Sequence, residues 1–293
     1  MSTGTPAPLR VPHPVADAGQ WPITAHCAEL TAPAHWQTIE LISDLHLDPS
    51  HPQTAQSFLR YADTTCADAV LILGDLFEAW VGDDMRHQAF EAEMVGALRQ
   101  LGQRCWLGIM VGNRDFLMGP ELMADCHAHA LPDPLVLNAF GLRRLITHGD
   151  AWCLDDQPYL AFRQQVRQPA WQTAFLQQPL EQRLATARHM RQASEARKRE
   201  QSSPAEWADV DPARALAWLQ ATECQELIHG HTHRPGRSPL RPAHDRTSSS
   251  STTAHREVLS DWDADHAVSP RAEVLRLSPA GLTRLTPTTT GVR

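Results

Sequence analysis

The chain has 293 residues, of which 42% are hydrophobic, enough for a sizeable core in two average domains or one large domain with extensions. Its formal net charge of −8 argues against wholesale nucleic-acid binding, which calls for a basic footprint. The 6 cysteines are scattered with no C-x-x-C pair, which favours neither a zinc site nor a disulfide framework and makes a reducing, cytosolic compartment the default.

Residues 1–35 are rich in Pro, Ala and Thr and hold no sustained period. They read as a flexible extension and lack the basic-then-apolar pattern of a secretion signal. Order is expected from Trp36, in a domain over 36–286 that ends in a flexible tail, 287–293. A theme then repeats, a short apolar run followed by a cluster of Asp, His, Asn and Gly. It occurs as TIELISDLHL (38–47), AVLILGDLF (69–77), WLGIMVGNRD (106–115), LRRLITHGD (142–150) and CQELIHGHTH (224–233). Apolar runs of this length, bounded by Gly and polar residues, predict buried strands. The longest are cut by Asp75 and by Gly112–Asn113, far short of the roughly 20 residues of a membrane span. Amphipathic segments lie between them, such as 87–102, with Phe90, Met94, Val95 and Leu98 at helical spacing. Alternating strands and helices predict an α/β fold with largely parallel pairing. Ligands of such sheets bind beyond the carboxyl ends of the strands, where all five polar clusters fall.

Residues 157–203 are helix-prone and interrupted by Pro169 and Pro179, expected to end or kink helices. They carry Trp171 and Phe175 one turn apart and a basic run through Arg183, Arg188, Arg191, Arg197, Lys198 and Arg199. The stretch reads as a helical cap insertion; a helical pair that merely packs on the core is the plainer alternative. Lys198 is the single lysine among 26 basic residues, for which a genome-wide arginine bias is the simplest account. The low-complexity tract RTSSSSTTAH (246–255) places a mobile loop over 240–255. REVLSDWD (256–263) and AEVLRLS (272–278) read as closing strands.

The clusters offer Asp44, His46, Asp75, Asn113, His148, His231 and His233. Two carboxylates, four imidazoles and an amide are too many for a lone zinc. They suit a pair of octahedral ions such as Mn²⁺ or Fe²⁺, and two ions about 3.5–4 Å apart need a bridging carboxylate. Asp75, alone after Gly74, is the candidate bridge. Residues i and i+2 of an extended segment point the same way, so Asp44 with His46, and His231 with His233, are each expected to aim at one locus. Singly, each signal has an ordinary reading: G-D after a strand is usually a turn. A single buried histidine, such as His229, is more often hydrogen-bonded than a ligand. The conjunction of five strand ends carries the inference.

D-x-H, G-D, G-N, H-G-D and G-H-T-H, in that order over roughly residues 38–235, resemble the calcineurin-like metallophosphoesterases. The resemblance implies a sandwich of two sheets flanked by helices. It assigns Asp44, His46, Asp75 and His233 to one metal, and Asp75, Asn113, His148 and His231 to the other. In many members a histidine follows the asparagine and protonates a leaving alkoxide; here the position is Arg114. Arginine does not donate a proton at ordinary pH, but it neutralises and grips phosphoryl oxygens. A leaving group stable without a proton is then favoured, such as a phosphate monoester with a second pKa of about 6. The pairing points to pyrophosphate cleavage with Asp75 and Arg114 as catalytic residues. The plain alternative is a structural ion pair between Arg114 and a neighbour such as Asp115.

A narrower resemblance joins SDLHL, GDLFEAWVGDD, GNRDFL, HGDAWCLDDQPYLAFR and IHGHTHRP to the UDP-2,3-diacylglucosamine hydrolases of lipid A synthesis in Gram-negative bacteria. It implies two Mn²⁺ ions and water attack at the α-phosphorus of a lipid-linked UDP-sugar, releasing UMP. It also implies substrate contacts from Asn113, Arg114, Asp156, Tyr159, Arg191, Ser194, Lys198 and His231. The cap would line a cleft for two acyl chains, and its basic residues would hold phosphate or meet an anionic membrane surface at the cytoplasmic face of the inner membrane. Two rivals are another phosphoesterase of this fold acting on soluble nucleotides or diesters, and a non-catalytic scaffold, which would have no need to keep all seven ligands.

Overall fold

The computed structural model describes residues 27–200, 208–241, 254–265, 270–288 and 291–292; the side chains of 193–200, 288, 291 and 292 lie outside that description. In chain order the strands are β1 (Ala28–Thr31), β2 (Ile39–Ile42), β3 (Ala69–Leu73), β4 (Trp106–Met110), β5 (Ala128–Leu131), β6 (Leu135–Ala139) and β7 (Leu142–Thr147). They continue as β8 (Glu226–His229), β9 (Gly236–Leu240), β10 (Ala254–Val258), β11 (Val274–Ser278) and β12 (Gly281–Leu285). Helices α1 (Pro52–Thr64) and α2 (Ala89–Arg104) connect β2, β3 and β4; α3 (Pro120–Asp125) precedes β5. Helices α4 (Gln157–Val166), α5 (Pro169–Leu176) and α6 (Leu180–Glu200) form the cap, and α7 (Pro212–Ala221) leads into β8.

The fold is α/β. One six-stranded sheet runs β1-β6-β7-β8-β10-β9, the other β12-β11-β2-β3-β4-β5. Strands β2, β3, β4 and β5 pair in parallel, as do β7 and β8. Period-two alternation divides the apolar residues. Ile39, Leu41, Leu71 and Leu73 face Leu135, Leu137, Ile146 and Ile228 of the other sheet, forming the sandwich core. Ile42, Val70 and Ile72 point outward to Phe58 of α1 and Leu98 of α2. Val136, Leu145 and Leu227 face outward from the first sheet onto Trp218 and Leu219 of α7. Four layers result, helix–sheet–sheet–helix, because each sheet has two apolar faces to cover. Each fully buried Leu or Ile contributes about 1.5–3 kcal/mol.

Several boundaries differ from expectation. The flexible extension assigned to residues 1–35 is corrected at its end, where Ala28–Thr31 pairs in parallel with β6 and buries Ala28 and Leu30. Residues 1–26 lie outside the described residues. The bounds of the loop assigned to 240–255 are corrected at both ends, where Leu240 closes β9 and Ala254 opens β10, the two pairing antiparallel; 242–253 lie outside the description. Within the tail, Pro287–Thr288 pairs with Gly291–Val292. Pro169 and Pro179 begin helices rather than break them: Pro169 opens α5, and Pro179 precedes α6. A proline N–H is not missed in a first turn. No described helix is long and apolar enough to cross a membrane.

The cap is fastened to the core at several points. In α5, Trp171 and Phe175 stack with ring centroids 4.7 Å apart, and Trp171 lies 6.3 Å from Phe116. Phe175 is buried in the core cluster, so these rings anchor the cap. Arg183, expected to hold phosphate or a membrane, is only 3% exposed. It donates to the Gln178 carbonyl (2.9 Å), to the Val81 carbonyl and to the Asp84 carboxylate (2.9 Å). Arg183→Ala strands those acceptors at a cost of about 1–3 kcal/mol. Opening of the cap should then rise roughly tenfold, read as faster thermolysin cleavage within 157–200 while the thermal midpoint of the core moves little.

Candidate metal centre

The five polar clusters meet where the carboxyl ends of β2, β3 and β4 face those of β7 and β8, and their loops interlock through the main chain. Asp44 N–H donates to the Gly74 carbonyl (3.1 Å) and His46 N–H to the Asp75 carbonyl (3.0 Å). Gly230 N–H donates to the His148 carbonyl (3.1 Å). Asp44 spans the two sheets, its carboxylate oxygens accepting the His231 N–H at 3.0 and 2.9 Å.

Five of the seven donors sit on strained backbone. φ is 54° at Asp44, 48° at His46, 51° at Asp75, 62° at His231 and 52° at His233. Left-handed conformations are uncommon outside glycine and cost on the order of 1–3 kcal/mol each. Extended alternation therefore does not align Asp44 with His46; two left-handed residues separated by Leu45 do. The adjacent glycines are required by crowding. A Cβ at Gly74 would stand 2.5 Å from His148 Nδ1, one at Gly112 would overlap the Asp75 carboxylate, and one at Gly230 would overlap Ser43 and Asp44.

Two groups of donors result: Asp44, His46 and His233, and Asp75, His148 and His231, with ligand atoms in each group within 4.8 Å of one another. His231 and His233 thus fall in different groups, although their spacing predicted one locus. Nε2 of His46 and Nε2 of His233 are 3.3 Å apart, and Asp44 Oδ1 is 3.5 Å from His233 Nε2. In the other group, Nε2 of His148 lies 3.0 Å from Asn113 Oδ1. Asp75 turns one oxygen to each group, Oδ2 at 3.9 Å from His46 Nε2 and Oδ1 at 3.7 Å from His148 Nε2. Asp44, Asp75 and His148 form a buried floor, and His233 stands exposed at the rim.

This donor set fits divalent cations. His148 Nδ1 lies 2.9 Å from the Leu73 carbonyl, and His46 Nδ1 lies 2.8 Å from Glu78 Oε2. The Leu73 carbonyl at Nδ1 of His148 and the Glu78 carboxylate beside Nδ1 of His46 turn each Nε2 toward the other donors, where loss of its proton frees a lone pair for a cation. Burial lowers the His148 pKa, but the carboxylates of Asp75, Asp44, Asp150 and Asp133 outweigh it and bring it up to about 9. Burial, then the neighbouring His148, pushes His231 down to about 3. Burial raises the Asp44 pKa, but His233, His148 and His46 outweigh it and hold the carboxyl well below its usual range.

The other predicted residues have defined places. Arg114 N–H donates to Asp75 Oδ1 (2.8 Å), and its guanidinium meets Glu78 Oε1 at 3.3 Å. Asp115 instead accepts the Gly112 and Leu76 N–H groups, both at 2.7 Å, locking the G-D and G-N loops together. Burial and the Asp75 charge push Asp115 up to about 7. Asp156 caps α4 by accepting the Tyr159 N–H at 3.0 Å. The Tyr159 hydroxyl donates to Asp150, and its ring stacks 6.2 Å from that of His231. Arg191 reaches Glu78 Oε1 at 3.1 Å. Ser194 and Lys198 lie on α6, with side chains outside the described residues. His229 is buried against the Gly230 carbonyl, apart from both donor groups.

Sequence reasoning passed over Glu78, three residues after Asp75 in a motif already singled out. It also passed over Asp150, which holds Arg163 of the cap at 2.8 Å, and Asp261, 3.7 Å from His233 Nδ1. The acidic third residue of H-G-D was the available signal for Asp150.

No family model matches the chain. Relatives named UDP-2,3-diacylglucosamine hydrolase do match. The one from Bordetella pertussis is 41% identical over 246 residues, spanning 83% of this chain and 92% of its own. The one from Xanthomonas oryzae pv. oryzae is 40% identical over 252 residues, spanning 84% and 97%. The one from Stenotrophomonas maltophilia is 42% identical over 236 residues, spanning 77% and 91%. Among solved structures, the phosphoesterase Yfce from E. coli aligns with 87% of this chain and 96% of its own at 14% identity and TM-score 0.39.

The His148 environment makes cation binding proton-linked. With its pKa pushed up to about 9, this imidazole holds a second proton at pH 7 in the cation-free protein, and a cation requires it neutral. Mn²⁺ binding at pH 7 should release at least about one proton, measured by calorimetry in buffers of differing ionisation enthalpy. Affinity should rise with pH and level off above about 9.

Proposed function

The chain belongs to the UDP-2,3-diacylglucosamine hydrolase family, and from that premise we propose that it cleaves the pyrophosphate bond of UDP-2,3-diacylglucosamine by water attack at the α-phosphorus. UMP and 2,3-diacylglucosamine 1-phosphate leave, as a step of lipid A biosynthesis. The fold is the calcineurin-like metallophosphoesterase sandwich, and the activity is that of a metal-dependent hydrolase. We take the cofactor to be two Mn²⁺ ions, one held by Asp44, His46, Asp75 and His233, the other by Asp75, Asn113, His148 and His231. Such ions supply Lewis-acid charge stabilisation and a nucleophilic water at neutral pH.

The observation that carries this reading is Arg114 beside the donor groups, with its main-chain N–H on the Asp75 carboxylate and its guanidinium 3.3 Å from Glu78 Oε1. In the reaction one water oxygen–phosphorus bond forms as that water gives up a proton to solvent. The bond from the α-phosphorus to the bridging oxygen breaks, and its electron pair leaves on the sugar phosphate. A phosphate monoester needs no proton to depart at neutral pH, so a fixed guanidinium serves where an alkoxide would require an acid. Arg114 neutralises charge gathering on the phosphoryl oxygens. Asp75 holds the two halves of the site in register through its two oxygens.

The cap is read as the half that meets the lipid-linked sugar. Tyr159 faces His231, Arg191 stands beside Arg114 through Glu78, and Leu176 exposes 42% of its surface on α5. Asp156, Ser194 and Lys198 complete the proposed substrate contacts. A lipid-linked substrate places the enzyme at the cytoplasmic face of the inner membrane, against its anionic surface.

Hydrolysis in ¹⁸O-water should put the label on UMP; label on the sugar phosphate would place the attack at the β-phosphorus and contradict the mechanism. Asp75→Asn should abolish turnover, and Arg114→Ala should lower kcat by about 10²–10³.

A further inference from the structure

Glu78 lies in none of the donor groups, yet it touches one of them and both guanidiniums of the candidate site. Its side chain is 8% exposed. One oxygen, Oε2, lies 2.8 Å from His46 Nδ1. The other, Oε1, receives Arg114 Nη1 at 3.3 Å and Arg191 Nε at 3.1 Å. Arg114 belongs to the loop after β4, and Arg191 belongs to cap helix α6. Three segments distant in sequence therefore converge on one carboxylate.

We propose that Glu78 is a positioning residue that sets the His46 ring for its cation with one oxygen and gathers the core Arg114 and the cap Arg191 into one phosphate clamp with the other. A carboxylate on the remote nitrogen of a ligating histidine fixes the tautomer, orients the ring and strengthens Nε2 as a ligand. Two guanidiniums repel each other when brought close. Sharing a buried carboxylate oxygen offsets that repulsion and holds both guanidiniums ordered for an incoming anion. Because Arg191 comes from the cap, the same contact ties cap position to the phosphoryl site. The clamp half rests on the pyrophosphatase reading, whereas the His46 half rests on the donor set alone.

The test uses the full chain with Glu78→Gln, Arg191→Ala and the double variant, with circular dichroism confirming the fold. Glu78→Gln should weaken Mn²⁺ binding by about tenfold or more, measured by calorimetry without substrate. Arg191→Ala should leave Mn²⁺ affinity within twofold of the parent. At saturating Mn²⁺, both single variants should raise KM for UDP-2,3-diacylglucosamine, and the double variant should raise it no further than the stronger single one. Should Glu78→Gln fail to fold, Glu78→Asp replaces it. That variant keeps the charge but draws it back by one methylene, and should show the same two effects in weaker form. Mn²⁺ affinity within twofold of the parent in the Glu78 variant, or KM effects that multiply independently, would overturn the proposal. Absence of turnover by the parent chain would instead overturn the pyrophosphatase reading and the clamp with it, leaving the calorimetry to decide the His46 half.

Discussion

Two carboxylates, Asp44 and Asp75, are buried at 0% and 1% exposure between the ends of two sheets, and the rest of the molecule is arranged around that burial. Charges so placed cost several kcal/mol each unless positive charge and hydrogen bonds compensate them. The His231 N–H on Asp44 and the Arg114 N–H on Asp75 supply part of that compensation. The convergent histidine nitrogens and the Asn113 oxygen define where cations would supply more. The same requirement accounts for the left-handed backbone at five donors and for glycine at 74, 112 and 230, where any side chain would fall on a carboxylate or an imidazole. The apolar sandwich provides the rigid frame that makes such strain tolerable.

The segment GDLFEAWVGDD extends from this floor to the cap, and its polar residues divide the work. Asp75 stands between the donor groups, and Glu78 joins His46, Arg114 and Arg191. Asp83 caps α3 through the N–H groups of Glu121 and Leu122, both at 3.0 Å. Asp84 receives Arg183 of α6. Gly82, at φ 136°, leaves room for Arg183 and Leu176 above it. From the other side, Asp150 of H-G-D holds Tyr159 and Arg163 of α4, and Arg167 donates to the Gly112 carbonyl at 2.8 Å. The residues that position the cap are therefore interleaved with those that build the donor groups.

The frame was legible because its strands are uninterrupted apolar runs that stop at polar clusters, a pattern set by burial on both faces. The seven donors stood out for the same reason. Their backbone conformation did not, since a left-handed Asp or His carries no signal beyond a neighbouring glycine. β1 was missed because AELT is four residues long inside a Pro- and Ala-rich stretch, and it gains its strand only by pairing with β6. Arg183 was misread because a basic residue on a helix signals solvent, whereas here Asp84 and the Val81 carbonyl draw it inward. Glu78 was invisible as a hub because its partners are 32, 36 and 113 positions away in the chain, and such convergence belongs to the fold.

The most direct test is anomalous diffraction from crystals of the full chain soaked in Mn²⁺. Two peaks are predicted, one among Asp44, His46 and His233 and one among Asn113, His148 and His231, each beside a different oxygen of Asp75. A single peak, or Mn²⁺ bound away from Asp75, would contradict the two-cation centre on which the account stands.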